Sequence, residues 1–523
     1  MKNQSITKAE FWQNHERFLK DNLATETPNP KTHNLSKLCH SDINQAFTLF
    51  KQIELDSISA LKEYLPDIKR LQQNIIDVLA NDSKIFLIGC GASGRLAMLL
   101  KRLWEHYNPD LAKKIICVSS AGDVSLIKSV EQFEDNAKFG IKQLIQQGFT
   151  SKDLLIGLSA SGESPFILAA VEYAALHSQF KPYLVFNNQA KSLLERNPKH
   201  IIANSNVNAL ELDVGPMALT GSTRLQATTA MQIALGIALC KPGANAKSEL
   251  NKIIQLIEEF SLEKLSPLTM LEATFLANNQ YVLYQTNDIF LGLSLLADTT
   301  ERSPTFNLPV YENNVETTSS YSPFYLSLTE VNSGAEAWEF LLGTKPTCLS
   351  WKSFPVTTIS YINGFDLSAN SQRALGKYLP EKQHISAWII NDPILSIKLE
   401  NEQVSFEIPD DLLYATILYK LCLNSHSTLM MGRLDYFWGN MMLSLKPSNF
   451  KLIDRAIRYS KFILEHEHGV IIEYKKLVDI VFEEIENLEP GQSIVNNVVN
   501  SALLTSHPRA GGDPDSRLRG NDR

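Results

Sequence analysis

The alternation of apolar and polar positions divides the chain into a polar lead, two α/β stretches and a helical end. Residues 1–35 are polar, and Thr25-Glu26-Thr27-Pro28-Asn29-Pro30 must run extended because of its prolines. From Asp42 to about Leu79 apolar residues recur at helical spacing. Ile43, Ala46, Phe47 and Phe50, then Ile58, Leu61, Tyr64, Leu65 and Ile68, predict two helices packed on the domain that follows. Short apolar runs then alternate with helical segments. Strands are expected at 84–89, 114–119, 153–158 and 182–186, with a weaker one near 209–213, which implies a parallel sheet covered on both faces.

After a helical stretch at 246–278 the alternation starts again. Strands are expected at 280–285, 355–361 and 386–390, with an extra hairpin near 395–408 and covering helices at 411–423 and 427–445. Pairing the two stretches implies an internal duplication. Residues 449–503 are read as a helical cap whose spacing carries no chemistry. The last residues are rich in Gly, Pro and charge, cannot bury enough surface to fold, and look like translated intergenic repeat DNA. The expected organisation is 1–80, extended and helical; 81–245, a first lobe; 246–448, a second lobe; 449–505, the cap; and 506–523, a disordered tail.

Composition narrows the function classes. A chain of 523 residues is long for one core, and 44% hydrophobic with 20% charged residues is ordinary for a globular protein. A net charge of −8 gives no reason to expect nucleic acid or an anionic membrane as partner, so any phosphate must be held by a local site. The six cysteines are scattered without a C-x-x-C pair, the N-terminus lacks the apolar run of a signal peptide, and no apolar stretch is long enough to span a bilayer. A cytoplasmic protein is expected.

The chemistry concentrates in three turns. In Gly89-Cys90-Gly91-Ala92-Ser93-Gly94-Arg95 a strand turns into a helix, the glycines letting backbone N–H groups approach an anion at the helix N-terminus. The spacing also satisfies G-x-G-x-x-G, but the next strand ends in Ser119-Ser120 where a nicotinamide site usually has an acidic residue. In the second turn, Ser159, Ser161 and Ser164 surround Gly162 ahead of another helix. Helix capping would need one serine, whereas three around a glycine point to a ligand. The third, Gly215 to Leu225, repeats the pattern with Thr220, Ser222, Thr223 and Arg224.

These turns resemble the sugar isomerase (SIS) domain. More narrowly, the stretch from Thr25 to about Asp454 is similar to N-acetylmuramic acid 6-phosphate etherases and to their animal relatives, the glucokinase regulatory proteins. The resemblance implies two SIS-type α/β lobes, each a parallel sheet sandwiched by helices, arranged as a pseudo-dimer with helical additions at both ends. It also implies that the three turns hold the phosphate of a hexose 6-phosphate, with Ser93, Ser161, Ser222 and Thr223 as contacts, to which the turns themselves add Gly91, Ser159, Gly162 and Arg224 as expected phosphate-binding residues. Gln226 stands where the family has a Lys. Residues 427–449 resemble the final SIS helix, with Asn440 matching and Tyr436 in place of a Lys that reaches the phosphate. Arg433, one turn earlier, could replace that charge or could be a surface residue.

Breaking an ether next to an acidic C–H needs one group to take the proton and another to protonate the leaving oxygen. Val130-Glu131-Gln132-Phe133-Glu134-Asp135 resembles the family's V-E-G-x-E-D segment and puts Glu134 on an essential glutamate. The segment Ala297 to Phe306 resembles the etherase D-A-S-E-C-P-P-T-F and puts Glu301 on the other. In the first lobe the corresponding position is Leu103, and Glu105 points about 200° away on the helix. The resemblance therefore implies one working site per chain, with Glu134 as base at C2, Glu301 as acid at the lactyl oxygen, and neither metal nor other cofactor. The alternative is a non-catalytic sensor that binds a sugar phosphate and regulates a partner such as a sugar kinase. Two lobes and a helical C-terminus favour it, whereas Pro304 stands where the animal regulator has a His. An aldose–ketose isomerase is a weaker third reading.

Overall fold

The computed structural model describes residues 6–15, 23–128, 130–310, 312, 321–379, 381–489 and 492–506. Residues 507–523, nearly all of the expected disordered tail, lie outside that set. The chain forms two compact units, one spanning Lys20–Met442 and one made of Met1–Leu19 with Leu443–Arg523. In the smaller unit the helix Lys8–Asn14 packs Phe11 against Phe482, 5.6 Å between ring centroids, on the helix Tyr474–Glu486. The helices Phe450–Glu467 and Ile494–Ser506 complete it. Among the described residues no helix is long and apolar enough to cross a membrane.

The larger unit holds both lobes. The first has five strands, β1 (Ile85–Gly89), β2 (Ile115–Ser119), β3 (Leu154–Leu158), β4 (Tyr183–Phe186) and β5 (Asn208–Glu211), in the order β2-β1-β3-β4-β5. All pairings are parallel, with Ile85 opposite both Ile115 and Leu154. Every residue of β1, β3 and β4 is buried, as continuous apolar runs must be in a sheet covered on both faces.

The second lobe repeats the start of this plan. β6 (Tyr281–Thr286) lies between β7 (Phe324–Leu328) and β8 (Gln383–Asn391), parallel to both, as β1 lies between β2 and β3. Its sheet is then extended by an antiparallel hairpin of β9 (Ile394–Leu399) and β10 (Glu402–Glu407). Equivalent helices pack between the lobes. Gly91–Tyr107 meets Ile289–Phe306, and Gln226–Cys240 meets Leu412–Arg433. Every residue of Gln226–Cys240 is buried, which explains its nearly uniform apolar sequence.

Two sequence expectations change. Residues 355–361 are not a strand but a 3₁₀ turn, Pro355–Thr357, followed by the short helix Ile359–Ile362. Pro355 has no N–H for a sheet ladder, and the place beside β6 goes to the unforeseen Phe324–Leu328. The helices expected at 411–423 and 427–445 are one helix, Leu412–Arg433, because nothing between them breaks it and Ser425 bonds back to the Leu421 carbonyl at 2.7 Å. It ends before Asp435 at φ +59°, and Phe437–Trp438 then pairs with Met441–Met442, as β11 and β12.

The first strand–helix junction has no room for side chains. A Cβ on Gly89 would stand 2.7 Å from the backbone of Ser93 and Gly94. Both neighbours are main chain, so Gly89→Ala should cost about 2 kcal/mol or more of stability, read as a lower urea midpoint.

Candidate functional site

The three turns lie at the carboxyl edge of the first sheet. Cys90 is extended and Gly91 has φ +52°, so the helix opens immediately and its first amides face the turn. Ser93 is buried on this helix. Arg95, one residue past the turn, is buried as well, and its guanidinium bridges the lobes. One nitrogen donates to the Ser125 carbonyl and the other to Oε1 of Glu301. The Glu301 carboxylate comes from the second-lobe helix Ile289–Phe306 and lies 3.9 Å from where a Cβ of Gly91 would stand. Glu105, by contrast, is held on the other side of its helix by Lys101 and Arg102.

In the second turn Gly162 has φ +80°, and the serine oxygens accept backbone N–H groups of their own loop. Ser159 Oγ accepts from Ser164 N at 3.4 Å and Ser161 Oγ from Glu163 N at 3.3 Å. The N–H groups they hold lie ahead of the helix Pro165–His177, which has no side-chain cap, and each hydroxyl retains a proton to donate. Ser164 Oγ reaches Cys90 Sγ at 3.7 Å and the Glu134 carbonyl at 3.5 Å. Glu134, half-buried at the end of the one-turn helix Glu131–Glu134, is thereby tied to the first two turns.

Among the described residues the third turn contains an unpartnered buried hydroxyl, and the Nε atoms of Arg95 and Arg224 are likewise unpartnered. Ser222 Oγ is buried without a partner, although buried hydroxyls are normally bonded. Thr223 follows it, half-buried. Arg224, expected to contact phosphate, instead turns its guanidinium into the second lobe. It donates to Asp298 at 2.7 Å, to Asn424 and Ser427 at 3.2 Å each and to Thr428 at 3.1 Å. Gln226 braces the loop from within, accepting from Ala218 N at 2.8 Å and donating to Glu54 at 3.0 Å.

The residues expected near the last helix also have other work. Arg433 donates to the Cys39 carbonyl at 2.7 Å, and Tyr436 packs edge-on against Phe306 at 5.8 Å. Both reflect the early end of the helix Leu412–Arg433, which breaks the register on which a phosphate contact was expected. Asn440 is a buried clasp. Its amide donates to Asn29 O and Thr32 Oγ1 at 2.8 Å each, and its carbonyl groups accept from Thr220. The lead expected to run extended is instead two 3₁₀ turns, Ala24–Glu26 and Pro30–Thr32, the second opening on Pro30 where no N–H is needed, and together they form a strap across the turns. Thr25 exchanges hydrogen bonds with Asn188, which also holds the Ser161 carbonyl, while Asn29 and Thr32 bind the Pro216 and Ala218 carbonyls.

Between the lobes a cavity is walled by Arg95, Arg224, Asp298, Glu301, Lys420 and Asn424. Asp298 and Lys420 were not foreseen, although Lys420 is a lone charge in an apolar helical run, which is the signal that could have marked it. Lys420 donates to the Arg224 carbonyl, and burial pushes its ammonium down from its ordinary value. Burial likewise raises Glu54, next to Gln226. Asp298 also accepts from Arg302 at 2.6 and 2.9 Å, Arg302 donates to Tyr284 at 3.0 Å, and Tyr284 donates to Glu272, which binds His426 at 2.9 Å. This buried chain alternates Arg224, Asp298, Arg302 and Glu272, so its formal charge cancels. The arrangement as a whole offers hydroxyl and amide donors for an anion at the turns, with the Glu301 carboxylate beside the first one and the Glu134 main-chain carbonyl bonded to Ser164 of the second.

A family model for the glucokinase regulatory protein N-terminal SIS domain matches residues 67–175. An N-acetylmuramic acid 6-phosphate etherase of Klebsiella aerogenes is 30% identical over 215 residues, covering 41% of this chain and 67% of that protein. The etherase of Enterobacter sp. (strain 638) is 33% identical over 215 residues, covering 41% and 68%. Among solved structures, tagatose-6-phosphate ketose/aldose isomerase from Escherichia coli is similar with a TM-score of 0.44 at 12% identity, covering 81% of this chain and all of that one. The C-terminal domain of glucosamine-fructose-6-phosphate aminotransferase from Francisella tularensis has a TM-score of 0.41 at 13% identity, covering 75% and 96%.

The buried charge chain sets the acid response. Burial by itself would raise the Asp298 carboxyl, but Arg302 and Arg224 outweigh it and hold the group below its ordinary value. The folded state then binds fewer protons than the unfolded chain. The stabilisation is complete above the unfolded value of about 3.9 and is lost as pH falls through the lower folded value. Asp298→Asn, which leaves Arg224 and Arg302 short of an anion, should cost about 3–5 kcal/mol in urea denaturation at neutral pH. The variant should also lose less stability than the parent between about pH 5 and pH 2.

Proposed function

The chain belongs to the N-acetylmuramic acid 6-phosphate etherase family, and we propose that it acts as such a lyase, releasing lactate and leaving N-acetylglucosamine 6-phosphate. The observation that carries this reading is the placement of Glu301. A carboxylate from the second lobe stands against Gly91 of the first lobe's phosphate turn, on the same turn to which Ser164 ties Glu134. On this reading one chain supplies, from two lobes, the pair of carboxyl groups that an ether elimination requires, Glu134 being tied in by its main-chain carbonyl.

The 6-phosphate sits on the three turns, with Gly91 and Gly162 allowing close backbone approach. Ser93, Ser159, Ser161, Ser222 and Thr223 supply hydroxyls, and the unpaired Ser222 Oγ donates to a phosphate oxygen. Glu134 takes the proton from C2. The C3–O bond breaks as Glu301 protonates the lactyl oxygen, and a C2–C3 double bond forms. The product carries a hydroxyl at C3, so one water adds across that double bond, its hydroxyl going to C3 and a proton returning to C2. Arg95 keeps Glu301 at the first turn, and Arg224 orients the third turn from behind instead of touching the phosphate.

A sugar-phosphate sensor is the second reading, favoured by the match of residues 67–175 to the regulatory protein's domain. Incubation with N-acetylmuramic acid 6-phosphate separates the two. The parent should release lactate, and Glu134→Gln and Glu301→Gln should each lose on the order of 100-fold or more in kcat. No lactate from the parent, together with thermal stabilisation by a hexose 6-phosphate, would leave the sensor. Ser222→Ala should raise the dissociation constant of N-acetylglucosamine 6-phosphate about tenfold, measured by calorimetry, since it removes a hydrogen bond to a charged group.

A further inference from the structure

Glu134 is carried by an element that cannot hold itself. Glu131–Glu134 is four residues long, too short for a helix to be stable by its own hydrogen bonds. Its neighbour Phe133, however, is completely buried in a cluster of four aromatic rings. Phe133 stacks on Trp351 at 5.5 Å and 23°, and meets Phe354 and Phe139 at 4.9 Å each. Trp351 and Phe354 belong to the second lobe, in the segment between the helix Gly334–Leu342 and the 3₁₀ turn Pro355–Thr357.

Trp351 is fixed from several directions. Its Nε1–H donates to Gln146 at 3.1 Å, and the Lys142 ammonium lies 3.8 Å from its ring centroid, both from the helix Ala137–Gln146 that follows Glu134. Phe139 from the same helix meets it edge-on at 5.1 Å. The segment ahead of Trp351 is also anchored to the first lobe. Asp123 N donates to the Thr347 carbonyl at 3.0 Å, and Thr347 N donates to the Asp123 carboxylate at 2.6 Å.

We propose that Trp351 is a positioning residue for Glu134: the second lobe sets the first-lobe carboxylate by stacking on Phe133, the residue next to it. The second lobe would then control both carboxylates, Glu301 by carrying it and Glu134 by this aromatic box. The indole is not part of the wall of the cavity between the lobes. It acts through the backbone of Phe133 and Glu134, where a displacement of about 1 Å is enough to cost on the order of 100-fold in rate. The inference rests on the etherase reading for its kinetic form and on the geometry alone for its structural form.

The test is a double-variant cycle on the full chain with N-acetylmuramic acid 6-phosphate. Trp351→Ala should lower kcat about tenfold or more while KM stays within about twofold. Trp351→Phe, which keeps a ring in the box, should restore most of the loss. In a Glu134→Gln background, Trp351→Ala should add nothing, because the group it positions is already disabled. Unchanged kcat in Trp351→Ala, or the same loss with and without Glu134, would overturn the proposal. Should Trp351→Ala not fold, Gln146→Ala and Lys142→Met loosen the indole without opening a cavity and are read in the same way. If the parent releases no lactate, the etherase reading fails on its own. The same cycle, read in the dissociation constant of N-acetylglucosamine 6-phosphate, then decides the positioning role: non-additive losses support it, and additive or absent losses sink it.

Discussion

The Arg224–Asp298 ion pair is the constraint on which the arrangement of the lobes depends. Both side chains are almost completely withdrawn from water, and each is bonded at several positions. Separating the lobes would leave Arg224 at the end of the third hydroxyl turn without its carboxylate, while Asp298 would keep Arg302 of its own helix. An uncompensated buried charge is costly, so the two surfaces stay together or the site does not exist. Asp298 is shared with Arg302, so the pair is also continuous with the polar core of the second lobe, through Tyr284 and Glu272 to His426. The geometry of the third turn is thus set from the lobe that carries no glycine-rich turn of its own.

Duplication followed by division of labour accounts for the rest. Both sheets begin with a central strand flanked by parallel neighbours, and in both the first strand feeds a helix that packs on its counterpart across the interface. In the first lobe that helix opens on Gly91 and Ser93. In the second it opens on Asp288, which caps its own helix by accepting from Leu291 N at 2.7 Å, leaving no anion-binding turn there. Freed from that task, the second-lobe helix supplies Asp298 and Glu301 three residues apart on neighbouring turns, and the helix Leu412–Arg433 adds Lys420 and Asn424.

The strap formed by residues 23–34 shows how an apparently featureless segment acquires a role. It is two 3₁₀ turns, Ala24–Glu26 and Pro30–Thr32, too short to satisfy their own polar groups, which leaves its backbone and its Thr and Asn side chains available to others. Thr25, Asn29 and Thr32 spend that capacity on the second and third turns and on Asn440. Hydroxyl turns rich in glycine lose much conformational entropy when ordered. A strap that satisfies their outward carbonyl groups lets them present their hydroxyl groups in one place.

The sequence by itself determined what local chemistry can specify. Continuous apolar runs placed the strands of the first sheet, glycines marked the tight junction at Gly89–Gly94, and hydroxyl clusters marked the three turns. The resemblance singled out Glu134 and Glu301. What only the tertiary structure decided is where each charge goes. Arg224 reads from sequence as a phosphate contact because it follows Ser222 and Thr223, yet Asp298, 74 residues away, claims it. Arg433 and Tyr436 depended on a helix continuing past residue 433, and it stops there. Phe324–Leu328, and not residues 355–361, took the place beside β6, because membership in a sheet is settled by the neighbouring strand, not by apolar character alone. A residue's type fixes which bonds it can make. Which partner it meets depends on long-range packing, and no local pattern contains that information.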